Sequence, residues 1–181
     1  MRSRSLFLTL GSLCAVVACS SAPMPPHLDG EDIRDMLITG FEQYKAHDIE
    51  IAAAIPDSAL RWAPNDEVRD FAEMVDHYAN NLWLGQFALG NEAQSVGDSA
   101  VYLNDKAALG EVVAQWYDMV IADLRTIPAD DFFTEVDFFG GQRLQKWQIY
   151  SFGLQHALWT RGGLIPYFRA HGVPVPAFRS Y

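Results

Sequence analysis

From Gly30 onward, apolar side chains recur in steps of three, four and seven along four successive stretches, and no stretch alternates convincingly with period two. Such spacing paints one apolar stripe on each of four helices, and four stripes leave water together only when the helices pack on one another. The expected fold class is therefore all-α, a four-helix bundle. The first helix carries Ile33, Leu37, Phe41, Tyr44, Ile51 and Ile55 on its stripe and ends at Pro56. A bent link through Trp62, Pro64 and Asn65 follows, its indole expected to cover one end of the core. The second helix opens at Asp70, where Glu73 three residues on completes a capping box; it buries Phe71, Met74, Val75, Tyr78 and Leu82 and stops at Gly90-Asn91. The third starts near Asn104 or Asp105, turns Leu109, Val112, Trp116, Met119, Val120 and Leu124 inward, and closes at Pro128. Gly140-Gly141 marks the turn into a fourth helix over about residues 142–171. That helix is apolar nearly all round, as if enclosed by its neighbours, with a kink or break at Pro166.

The chain divides into three parts. Residues 1–18 read as an export signal: Arg2 and Arg4, then an apolar run from Leu6 to Ala18 that is too short to span a bilayer comfortably. Val16-Val17-Ala18-Cys19 resembles the lipobox of bacterial lipoproteins, which implies cleavage before Cys19 and acylation of its thiol. An ordinary signal peptide cut after Ala22 is the other reading. Residues 19–30 then form a lipid-bearing tether in which Pro23, Pro25 and Pro26 exclude helix, reaching about 30 Å at roughly 3.1 Å per residue. Two or three acyl chains, at about 0.8 kcal/mol per buried methylene, anchor stably where one would not. The lipoprotein resemblance, with Ser20 rather than Asp after the lipid site, implies an outer-membrane anchor facing the periplasm. Cys14 leaves with the signal and Cys19 is consumed by lipid, so the folded domain, residues 31–181, has no thiol left for a disulfide.

That domain is acidic. The formal net charge of −10 becomes −12 once Arg2 and Arg4 are removed, which disfavours nucleic acid and anionic lipid surfaces as partners. No G-x-S-x-G, P-loop, CxxC or H-E-x-x-H pattern is present. Trp83 and Phe87 project off the main stripe of the second helix, where a protein partner or a second copy could use them.

Three stretches carry a resemblance. Trp62-Ala63-Pro64-Asn65 leads through Val68-Arg69 into the capped helix with His77; Phe138-Phe139-Gly140-Gly141-Gln142-Arg143 opens the last helix; and His156 precedes Arg161-Gly162 and Tyr167-Phe168-Arg169-Ala170-His171-Gly172. In this order they resemble the DinB-like superfamily of four-helix bundles, which includes bacterial thiol-dependent S-transferases. The resemblance implies one divalent ion, such as Zn or Ni, held by a histidine of the second helix and an H-x-x-x-H pair of the fourth. His77 and His156 match the first two positions, Thr160 stands in the third, and Gly163 stands where a glutamine often follows.

A neutral hydroxyl is a poor ligand, so a metal here needs a substitute. His47 is the candidate, because it follows Tyr44 by three and precedes Ile51 by four on the buried stripe of the first helix. Glu73, one turn before His77, is a second, although its capping role already explains it. Two functions follow. In one, His77 and His156 hold an ion whose shell His47 or water completes, and the site serves a hydrolase or transferase, with no general base identifiable. In the other, the metal has been lost and the domain is a non-catalytic envelope module that binds an unidentified small molecule or protein.

Overall fold

The computed structural model of the chain describes residues 27–92 and 94–177. Residues 1–18, read as an export signal, and Cys19 lie outside these residues. Helix α1, Gly30–Ala54, begins at Asp29, whose carboxylate accepts from the backbone N–H groups of Glu31 and Asp32 while Asp32 reaches back to the Asp29 N–H. Helix α2, Phe71–Asn80, carries the expected Asp70–Glu73 box; a tightened turn at 81–83 then passes the chain into α3, Leu84–Ala88. Gly90, at φ 76°, ends that run. A short α4, Ser99–Tyr102, precedes α5, Lys106–Thr126, which Asp105 caps.

Helices α1 and α5 are antiparallel, and polar contacts mark their register from end to end. Arg34 donates to the Ile127 carbonyl at 2.6 Å, Lys45 pairs with Asp118 at 2.6 Å, and Lys106 donates to the Ile55 carbonyl at 3.1 Å. At the first of these ends Gly30 is pressed on residue 129, where an added Cβ would stand 1.9 Å from the Ala129 carbonyl oxygen. Gly85 plays a similar part inside the bundle. A Cβ there would meet Val120 Cγ2 at 2.8 Å and Tyr150 Cε1 at 2.9 Å, so its absence lets α3 approach α5 and the Tyr150 ring closely.

The segment after α5 departs from expectation. Residues 135–145 form a hairpin of β1, Glu135–Phe138, and β2, Gln142–Gln145, antiparallel with Val136 opposite Leu144. Gly140 and Gly141, both at positive φ, make the hairpin turn rather than a helix entry. The fourth helix is accordingly shorter: α6 spans Lys146–Gly162 and α7 spans Ile165–Ala170. The break falls just before Pro166, which sits in the first turn of α7, where its missing N–H costs nothing. Nor is α6 enclosed. Trp159 is 85% exposed, and Phe152 and Leu158 also face outward. None of the described helices is long and apolar enough to cross a membrane.

The stripes read in the sequence supply Phe41, Phe71, Tyr78, Leu109 and Leu124 among the fully buried side chains of the core, and Tyr117 and Tyr150, which lay on none of those stripes, join them. Trp62 closes one end, its ring set edge-on to Tyr167 and His171. Trp83 and Phe87 are half-buried, stacked in a ring cluster with Phe138 and Phe139 of the hairpin.

Candidate functional site

His77 lies on α2 and His156 on α6, and the packing of those two helices brings their rings to 5.2 Å between centroids, edge to face at 79°. His77 Nδ1 lies 3.5 Å from the Asn81 amide nitrogen, and His156 Nδ1 is buried without a hydrogen-bond partner. Burial pushes both imidazoles below their ordinary value of 6.5, and the positive charge of Arg69 pushes both further. Two imidazoles, both less basic than a free one, therefore meet between α2 and α6.

The expected third ligands stand elsewhere. Glu73 gives one oxygen to the Asp70 N–H and the other to Arg61 at 3.2 Å. His47 is buried on α1, as its place on the stripe required, but it lines a cleft of about 300 Å³ with Ile51, Arg161, Ile165 and Phe168. Among the described residues no three His, Cys, Asp or Glu side chains are grouped so as to hold a metal ion.

Sequence reasoning missed the most polar part of the interior. Asp48, fully buried on α1, accepts from Arg161 Nη1 at 2.9 Å and from the Tyr117 hydroxyl. Arg161 itself is only 6% exposed and lies over the Tyr44 ring at 4.6 Å. Burial pushes the Asp48 carboxyl up against the pull of Arg161 and Tyr117. Burial alone would lower Arg161, but Asp48 outweighs it and holds the guanidinium charged. The Tyr117 and Tyr78 hydroxyls are driven well above 10, by burial first and the Asp48 charge second. The available signal was positional: Asp48 falls four residues after Tyr44 and three before Ile51, inside the apolar stripe.

By sequence the chain matches no family profile and no curated protein. By structure it matches a DinB-like protein of Bacillus subtilis, YjoA, with a TM-score of 0.62 and 18% identity over 79% of this chain and 96% of that one. A second DinB-like protein, from Bacillus cereus, matches with a TM-score of 0.62 and 14% identity over 80% of this chain and 97% of that one. The chain has the DinB-like fold. The resemblance seen in the sequence thus holds at the level of architecture, and the ion it implied can be tested on the residues present. A metal site of this kind takes three protein donors and keeps a fourth position open. Among the described residues the DinB-like bundle of this chain offers two imidazoles at this position, with a threonine in sequence where the third ligand would stand. That donor set does not fit a resident divalent ion.

Proposed function

We propose that this protein is a DinB-like binding module of the bacterial cell envelope, anchored by lipid on Cys19, and that the His77–His156 position is not a catalytic metal centre. The observation that carries this reading is that two imidazoles meet edge to face while no third His, Cys, Asp or Glu side chain is grouped with them among the described residues. The export signal and lipobox support the location.

A competing reading is a metal-dependent hydrolase or transferase. It draws on the closeness of the two rings and requires an additional ligand from outside the pair. Metal analysis separates the two: untagged protein is equilibrated with Zn²⁺ or Ni²⁺, dialysed, and assayed for retained ion and for a shift in melting temperature. The binding-module reading expects no stoichiometric ion and no shift, and expects Thr160→His, which restores a third imidazole one turn after His156, to gain both. One ion per wild-type chain, lost in His77→Ala and in His156→Ala, would establish the enzyme reading instead.

A further inference from the structure

A cleft of about 370 Å³ opens between the end of α2, loop 94–99, α4 and α5, within the size range of small-molecule pockets, about 300–1,000 Å³. Its walls include Asn80, Trp83, Gln94, Ser99, Tyr102 and Trp116. Trp116 is a core residue by burial, 5% exposed, and a buried indole N–H ordinarily has an acceptor. Here it donates to none among the described residues. It is also not one of the polar atoms that the fold seals from solvent without a partner, so it keeps access to the cleft that Trp116 lines.

The polar groups around it are oriented from behind. Asp76 accepts from the Tyr102 hydroxyl at 3.0 Å and from the Asn80 amide nitrogen at 3.2 Å. These bonds fix the Tyr102 and Asn80 side chains and leave the Asn80 amide oxygen available as an acceptor. Ser99 and Gln94 are exposed at the mouth and add hydroxyl and amide groups.

The ligand chemistry follows from what the walls offer and lack. No lysine or arginine lines the cleft, and Asp76 stands behind it, so an anion is disfavoured. A wholly apolar ligand would leave the indole N–H and the amides unmatched. The half-buried Trp83 ring beside an indole donor, an amide acceptor and a hydroxyl suits a neutral ligand with an apolar face and a rim of hydroxyl groups. A pyranose has that form, most completely in the gluco configuration, whose equatorial hydroxyls leave C–H groups on both faces. We propose that this cleft is a saccharide-binding site, with Trp83 packing on the sugar ring and the Trp116 N–H, Asn80 and Ser99 bonding its hydroxyls. The site is separate from the His77–His156 position and does not depend on how that position is read.

The test uses the full chain in a polyoxyethylene detergent, which carries no sugar, and two β-linked probes, cellobiose and chitobiose. The readout is the nitrogen–proton resonance of the Trp116 indole, assigned by its disappearance in Trp116→Phe. A saturable shift is expected for at least one disaccharide, with a dissociation constant of about 1 mM or tighter. Trp116→Phe keeps an aromatic ring in the core but loses the donor and should weaken binding about tenfold, read by calorimetry. Because that residue belongs to the core, Ser99→Trp provides a second variant. It alters an exposed position at the mouth, should melt like the wild type, and should abolish binding. His77→Ala should bind sugar as the wild type does. No shift with either disaccharide up to about 20 mM, or an undiminished shift in Ser99→Trp, overturns the proposal.

Discussion

Replacing Arg161 by methionine should be among the most damaging single changes in the molecule. The substitution roughly keeps the side-chain volume but removes the ion pair to Asp48, which is 0% exposed and would retain only the Tyr117 hydroxyl. Breaking a buried pair from one side typically costs about 3–5 kcal/mol, because the remaining charge has neither water nor a counter-ion. At about 2–4 °C per kcal/mol for a domain of this size, the melting temperature should fall by roughly 6–20 °C. The carboxyl can escape part of this cost by taking up a proton, and burial already pushes it in that direction. The decisive comparison is therefore a double-mutant cycle with Asp48→Leu, followed by urea denaturation. Removing both charges should recover most of the loss, since an apolar replacement of a buried pair is often neutral or stabilising by about 1–4 kcal/mol. The argument fails if Arg161→Met costs less than about 1 kcal/mol, or if the double variant is as unstable as the sum of the two single ones.

Acidification should weaken the fold through the histidine pair. Both folded-state values are lowered, so at mildly acid pH the unfolded chain binds more protons than the folded one; the stability is fully present above about 6.5 and is lost as pH falls through the lowered values. Urea midpoints measured from pH 8 to 5 should drop more steeply in the wild type than in a His77→Gln, His156→Gln double variant, and equal slopes would count against it. Gly85→Ala should destabilise by about 1–3 kcal/mol, because the new methyl meets Val120 and Tyr150 inside contact distance; a circular-dichroism melt no lower than wild type would show that α3 has room to spare.

What the sequence disclosed, and what it did not, separates by the range of the physics involved. The stripes of α1 and α5 and the Asp70–Glu73 box depend on residues three and four apart, and all were legible. The meeting of His77 and His156 followed from the DinB-like resemblance, because each ring lies on a face that the bundle turns inward. The hairpin escaped because its strands are four residues each and only half-buried, too short for alternation to stand out among aromatic and acidic neighbours. Glycines that can start a helix can equally close a hairpin, and Gly140-Gly141 did the second. His47 was placed correctly on its stripe, yet burial does not say which cleft a side chain lines, and it lines the one that Arg161 also lines. The Asp48–Arg161 pair joins residues 113 apart in the chain, and no local pattern connects them.

The antiparallel seam between α1 and α5 also decides how the molecule meets mechanical load. Any pull delivered through the chain ahead of Asp29 arrives at the first turn of α1, where Gly30 abuts Ala129 and Arg34 grips the end of α5. Drawn along its axis, α1 can leave only by sliding past α5, rupturing the Lys45, Asp48 and Lys106 bonds together rather than one after another. Shear of that kind resists force far better than peeling, so the end at which the chain enters α1 is braced against unravelling.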